Sequence, residues 1–221
     1  MDLRGDTPMR RLVLIVLAVL LSTRVAAQDV VIDNPWVHVL RIKQAPHAML
    51  PVHEHPATVV VYLTDAQQRI TGAGGAKTEM SHKSGDVTWF DAQRHAEENL
   101  SDHPLEMVVI ELKPGAPKVV AQPITLDPVK LDPDNHLVPF ENGRVRVLRT
   151  ILPPHLKSPS HQHPPYVVVY LTDLHTTMAM ADGRVIDNPR RPGEIAWRDA
   201  LTHVTENIGE RVAMEIQVEL K

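Results

Sequence analysis

The chain contains the same message twice. His53-Glu54-His55-Pro56 is followed by Val59-Val60-Val61-Tyr62-Leu63-Thr64-Asp65, and His161-Gln162-His163-Pro164 by Val167-Val168-Val169-Tyr170-Leu171-Thr172-Asp173. The offset is 161 − 53 = 108, and it also relates Gly85 to Gly193, Trp89 to Trp197, Asp91 to Asp199, His95 to His203 and Asn99 to Asn207. About 30 of the 81 positions compared between 33–113 and 141–221 are identical, with no gap needed. Such self-similarity means two homologous units, and it limits each to a fold of about 80 residues. Unit one is assigned to 28–113 and unit two to 140–221. The segment between them, 114–139, has prolines at 114, 117, 123, 128, 133 and 139. It reads as a semi-rigid extended linker along the surface.

Within a unit the pattern is that of short strands. Val37-His38-Val39-Leu40-Arg41-Ile42 alternates, and Val59–Leu63 is a β-branched run of the kind found in buried strands. Gly72, Gly74 and Gly75 mark a hairpin in unit one, and Asp182-Gly183 marks it in unit two. Further strands run through Trp89 and Trp197, over Glu106–Leu112 and over Glu215–Leu220. No segment after residue 28 sustains a helical apolar stripe. Many short strands at near-regular spacing predict an all-β sandwich or barrel per unit, with essentially no helix in 29–221.

The start of the chain carries a different signal. From Met9 it reads Met-Arg-Arg, then an apolar run from Leu12 to Leu21, then Ser22-Thr23-Arg24-Val25-Ala26-Ala27-Gln28. A basic segment, a short apolar segment and small residues at 25 and 27 make an export signal over 1–27, cleaved before Gln28. The alternatives are a short buried helix or an uncleaved anchor. Asp2 and Asp6 dilute the basic segment, so Met9 is a candidate start. The expected location is periplasmic or secreted, with no stable membrane anchor after cleavage.

Composition narrows the chemistry. The chain has no cysteine, which removes disulfides, thiolate ligands and cysteine nucleophiles. Lysine and arginine are scattered, with no clustered basic face for nucleic acid. Thirteen histidines are many, and their placement matters more than their number. His53 and His55 stand at i and i+2, so in a strand they share a face. His95 follows after two turns and can close the set from a neighbouring strand. His161, His163 and His203 repeat the arrangement. Three neutral nitrogens with open positions are how a catalytic or substrate-binding metal is held. A histidine pair satisfied by backbone carbonyls is the plainer alternative.

With these residues in view, the chain resembles the cupin superfamily. The first motif of that family is Gly, five residues, His-x-His, three or four residues, Glu. The second is Gly, five residues, Pro-x-Gly, two residues, His, three residues, Asn. His53 and His55, and His161 and His163, match the first. Gly85, His95 and Asn99, and Gly193, His203 and Asn207, match the second. The resemblance covers both units and implies two tandem jelly-roll β-barrels with the histidines pointing inward. There are departures. Val59 and Val167 occupy the Glu position, His47 and His155 replace the first Gly, and the Pro-x-Gly turn reads Asp91-Ala92-Gln93 and Asp199-Ala200-Leu201, one residue short of the family spacing to histidine. Inward orientation is expected for Val59 and Val167.

The resemblance implies a metal-binding bicupin whose ligands are His53, His55, His95, His161, His163 and His203. The expected cofactor is a divalent metal ion, iron(II) before zinc, manganese, nickel or copper. Loss of the carboxylate weakens an oxalate-decarboxylase reading. It leaves a three-histidine oxidoreductase, dioxygenase-like, acting on a small organic molecule. The alternative class is a non-catalytic small-molecule-binding or structural bicupin, and a homo-oligomer is compatible with either. His47 and His155 are expected in turns, Trp89 and Trp197 in the core, and Asn99 and Asn207 bonded to turn backbone. Arg41 and Arg149 are expected to pair with acids, Glu111 and Glu219 being the candidates.

Overall fold

The structure, a computed structural model, describes residues 27–117, 119 and 123–221. The export signal expected over 1–27 lies, but for Ala27, outside the described residues. In unit one a five-stranded sheet is ordered β1 (Ala27–Asp33), β2 (Val37–Gln44), β9 (Leu105–Leu112), β4 (Thr58–Tyr62) and β7 (Val87–Phe90). A four-stranded sheet is ordered β3 (Met49–His55), β8 (Gln93–Asn99), β5 (Ala66–Gly72) and β6 (Lys77–His82). Unit two repeats both. Its larger sheet runs β10 (His136–Glu141), β11 (Val145–Leu152), β18 (Ala213–Leu220), β13 (Tyr166–Tyr170) and β16 (Ile195–Arg198). Its smaller sheet runs β12 (His161–His163), β17 (Leu201–Asn207), β14 (Leu174–Met180) and β15 (Val185–Arg190). All pairings are antiparallel, and the architecture is the expected pair of jelly rolls. The one helical element among the described residues is a single turn, α1 (Pro128–Leu131), capped by Asp127, whose side chain accepts from Val129 N.

The valine runs are explained by what covers them. β4 and β13 are buried at every residue. Val59 and Val61 lie in one cluster with Val37, Val39 and Ile110 of unit one and Val147, Val167, Val169 and Val218 of unit two. Val60 and Tyr62 lie in another with Leu40, Ile42, Met107 and Val109, inside barrel one. The two five-stranded sheets therefore pack on each other, and each is apolar on both faces. A strand covered on both faces has no polar side to alternate with, so its sequence reads as a continuous apolar run. Trp36 stacks on Trp197 across this seam at 5.5 Å between ring centroids, and Trp89 stacks on Phe140 at 5.7 Å. The two tryptophans expected in the core thus flank the seam between the units.

This seam corrects two expectations. Val59 and Val167 do not point into the barrels; they are fully buried against the opposite unit. Strand alternation restarts after Pro56, so the barrel-facing neighbours are Thr58 and Val60, and Val60 fits the four-residue spacing of the motif. Nor do Arg41 and Arg149 pair with Glu111 and Glu219. Arg41 is bonded to Glu106, and its Nη1 donates across the seam to Gly193 O at 3.3 Å. Arg149 Nη2 donates to Gly85 O at 2.6 Å in the reciprocal contact. Gly85 and Gly193 have φ of 88° and 80°, and a Cβ on Gly193 would stand 2.7 Å from Arg41 Nη2. The glycine that the second motif shares is needed here both for its backbone and for the arginine from the other unit.

His47 and His155 do sit in turns, at φ of 55° and 60°. They hold the left-handed conformation that glycine adopts without strain. Asn99 Nδ2 donates to Ala45 O and His103 O, and Asn207 Nδ2 to Leu152 O, Pro153 O and Arg211 O, so both asparagines tie turn backbone as expected.

Two outcomes follow from the seam. Gly183 has φ of 85°, but a Cβ added there would meet nothing within 4 Å, so Gly183→Ala carries only the left-handed penalty, about 1–2 kcal/mol. Gly193→Ala adds displacement of Arg41 and should lower the thermal midpoint further; equal midpoints would mean that the inter-unit contact contributes nothing. Val59→Glu puts a carboxylate into the apolar seam without a partner, at roughly several kcal/mol. It should abolish cooperative unfolding, and added divalent metal should not restore it.

Candidate metal centre

The four-stranded sheets place the histidines. In unit one β3 pairs with β8 so that His53 lies directly opposite His95. In unit two β12 pairs with β17 so that His161 lies opposite His203. The i, i+2 relation adds His55 and His163 on the same face. Each set of three offers ligand atoms within 4.8 Å of one another. Ring centroids are 4.6, 4.8 and 5.4 Å apart in unit one, and 4.9, 4.4 and 5.3 Å in unit two. The six histidines picked from spacing are thus assembled into two groups. The first is partly open to solvent, with only His95 buried; the second is buried throughout.

What surrounds the rings decides which nitrogen faces inward. His53 Nδ1 donates to Pro51 O at 2.7 Å and His161 Nδ1 to Pro159 O at 2.8 Å. His55 Nδ1 bonds Glu111 Oε1 at 2.6 Å and His163 Nδ1 bonds Glu219 Oε1 at 2.7 Å. A proton held on Nδ1 leaves the Nε2 lone pair free, the tautomer a metal ligand needs. Glu111 and Glu219 are therefore ring-orienting residues, a role their sequence positions did not reveal. In unit two the chain of contacts extends outward. Arg146 Nε donates to Glu219 Oε2 at 2.6 Å, and Arg146 Nη1 to Asp127 Oδ1 at 3.0 Å. His136 packs its ring edge-on against His161 at 5.2 Å between centroids.

The residues fit a metal by a direct criterion. Nε2 of His163, Nε2 of His203 and both ring nitrogens of His95 are buried without a hydrogen-bond partner. Buried polar atoms are nearly always paired, and orphans that converge ask for a common partner. Burial drives the rings of His161 and His203 toward the neutral form. It lowers His161 to about 4 and His203 to about 2, with neighbouring histidines adding to the effect.

The barrel interiors differ. A cavity of about 30 Å³ in unit one is bordered by His55, His95, Glu97, Val60, Phe90 and Met107, room for one or two waters. Glu97 was not singled out by motif, although i+2 from His95 puts it on the same strand face. In unit two the interior holds Tyr166, Tyr170 and Glu215, whose carboxyl is raised by burial and accepts from Gln217 Nε2 at 2.6 Å. Outside barrel two a recess of about 440 Å³ is bordered by His163, Gln162, Thr202, Met180 and, from the linker, Pro123 and Ile124. Gln162 Oε1 accepts from Thr125 N and Leu126 N, so the linker is fastened to β12 beside the second group.

The depressed rings give a pH dependence with a definite sign. His161 and His203 take up protons at about 6.5 in the unfolded chain, but only at about 4 and about 2 in the folded one. Below about pH 6.5 the unfolded state binds more protons, so stability falls with pH at up to about 1.4 kcal/mol per unit for each group. Denaturant midpoints of the metal-free protein should be lower at pH 5 than at pH 7; equal midpoints would contradict burial of the neutral rings.

Comparison with known proteins agrees with this architecture. No family model matches the sequence, and none of the curated proteins matches it. Solved structures do. AerE from Microcystis aeruginosa superposes with a TM-score of 0.62 at 13% identity, over 89% of this chain and 98% of that one. The oxalate decarboxylase of Bacillus subtilis gives 0.61 at 13% identity, over 88% and 71%. The oxalate decarboxylase of Lactobacillus farciminis gives 0.58 at 12% identity, over 83% and 76%. These likenesses, with the duplicated pair of sandwiches and the two histidine groups, make the chain a protein of bicupin fold.

Proposed function

We propose that the protein is an exported, metal-dependent bicupin enzyme of the oxygenase type, acting on a small organic molecule with a bidentate anionic group. The supporting observation is the set of buried, unpartnered nitrogens on His95, His163 and His203, converging with the rest of each group. Three imidazoles suit iron(II), and also zinc, manganese, nickel or copper. Mn(II) centres are named for the Bacillus subtilis oxalate decarboxylase, which makes manganese the first competitor to iron. A divalent ion held by three neutral ligands keeps its full charge and supplies Lewis acidity with open positions for substrate and dioxygen.

The chain's own residues have assignable parts. Glu111 and Glu219 hold His55 and His163 in orientation, and the carbonyls of Pro51 and Pro159 do the same for His53 and His161. Apolar walls from Val60, Phe90 and Met107 limit water in barrel one. The exposed side of the first group, bordered by Leu50, Pro51, His53 and Glu54, is the approach for a ligand. A second reading, a non-catalytic binding or structural barrel, is favoured for unit two by its filled interior. Export rests on the pattern of residues 9–27.

Metal analysis of protein purified without chelators should find about one divalent ion per unit. His53→Ala with His95→Ala should remove one of the two, and His161→Ala with His203→Ala the other. An oxygen-uptake screen with small 2-oxo acids, 2-hydroxy acids and diketones should then give metal-dependent consumption. Full metal loading with no uptake on any of them would favour the binding reading; no retained metal, and none taken up on reconstitution, would end both metal assignments.

A further inference from the structure

We propose that the linker segment 125–131 is a latched lid over the second histidine group, closed in the structure and opened by release of Leu126 and Asp127 from β12 and β11. This rests on the reading that a ligand approaches the first group from its exposed side. It makes the units unequal in access: unit one is open to a ligand at all times, and unit two only when the lid lifts.

The duplication supplies the first argument. In unit one a recess of about 290 Å³ leads to His53 and His55, and His38, Glu54 and Glu111 also border it. At the offset of 108 these positions are His161, His163, Arg146, Gln162 and Glu219. The scaffold is the same, but His161 and His163 are buried. The linker stands in the way. Gln162 N donates to Leu126 O at 2.8 Å, and Gln162 Oε1 accepts from Thr125 N at 3.0 Å and Leu126 N at 3.2 Å. Arg146 Nη1 donates to Asp127 Oδ1 at 3.0 Å, and α1 packs against both β10 and β12. The residues that hold the linker, Gln162 and Arg146, are the counterparts of Glu54 and His38, which border the open recess.

The kind of contact is the second. Of residues 123–131 only Pro128 is buried. The segment is held by hydrogen bonds and one ion pair, with little apolar surface covered, and such segments open at lower free energy than packed sheets. Release strands no buried charge. Arg146 Nε keeps Glu219 Oε2 at 2.6 Å, and Asp127 passes to solvent.

The third argument is what lies beside the lid. The recess of about 440 Å³ reaches Gln162 and His163 and is walled on the linker side by Pro123 and Ile124. Lifting the linker joins it to the histidine group, in a volume typical of small-molecule sites. Met180, Ala200 and Leu201 border the rest, so the ligand admitted to unit two carries an apolar portion.

The test uses the full chain without metal. His136 packs on His161 from β10, so His163 is the reporter and His55 its counterpart. Carbethoxylation by diethyl pyrocarbonate, resolved by residue with mass spectrometry, should be roughly ten-fold or more slower at His163 than at His55. Asp127→Ala with Gln162→Ala removes the latch and should raise the rate at His163 to near that of His55, which itself stays unchanged. Amide exchange of the parent needs no variant: Gln162 N–H, bonded to Leu126 O, should exchange faster and with less dependence on denaturant than the amides of β13 and β18. In the loaded protein a chelator should withdraw Mn(II) from unit two more slowly than from unit one, and the double substitution should accelerate only the slower phase. Equal reactivity of His55 and His163 in the parent, or a Gln162 amide that exchanges only together with the core strands, overturns the lid. So does a folded double variant in which His163 stays protected. A protein that takes up no Mn(II) overturns the metal reading, and the first two measurements then decide the lid on their own.

Discussion

The burial of two five-stranded sheets against each other governs the rest of this molecule. Each sheet has to be apolar on its outer face to meet its twin and apolar on its inner face to fill its own barrel. Fourteen buried side chains, all valine, isoleucine or leucine, form the seam. At roughly 1.5–3 kcal/mol for each fully buried aliphatic side chain, this is a larger gross gain than either barrel lining offers by itself. A unit alone would expose that face, and the tandem repeat covers it within one chain.

The seam also sets what the barrels can present to a ligand, because strand parity links the two faces. On β9, Val108, Ile110 and Leu112 enter the seam, which commits Met107, Val109 and Glu111 to the barrel side. Glu111 therefore reaches His55 because its neighbours are fixed against the other unit. β18 does the same for Glu219 and His163 through Ile216, Val218 and Leu220. Packing between units and orientation of the clustered histidine rings are consequences of one alternation.

This coupling explains which parts were legible in the sequence. The strands, the two hairpins and the three-histidine sets follow from local signals: alternation, glycine-marked turns and i, i+2 spacing. The direction of Val59 did not, because a run of three valines has no alternation to read. Its orientation depends on a register change at Pro56 and on a partner sheet 108 residues away. Arg41 does pair with an acid, but with Glu106 in place of Glu111, and its second contact, a carbonyl of the opposite unit, has no local signal. Glu97 and Gln44 were hidden differently. Their residue types are ordinary on a strand; the i+2 relation puts Glu97 on the face of His95, but nothing local says that Gln44 of β2 reaches Glu97.

Once duplicated, the two centres were free to diverge in the groups behind the ligands, and they did so in a consistent electrical sense. In unit one Glu111 has His55 as its sole polar side-chain partner among the described residues, so its full charge bears on the Nδ1 proton. That polarises the ring and strengthens Nε2 as a donor. In unit two Arg146 binds the other oxygen of Glu219, and Arg146 is in turn held by Asp127 at the start of α1. The guanidinium draws charge away from the carboxylate and so from His163. The position of Arg146 is His38 in unit one, which stands opposite Glu111 in the strand pairing but whose Nδ1 lies 3.4 Å from Asp33 Oδ1. Since Asp127 belongs to the linker, the electron-poorer centre is also the one whose outermost contact comes from the segment joining the units. The linker thus does more than set a distance: through Arg146 and Glu219 it reaches the second histidine group by two ion pairs and the hydrogen bond of His163.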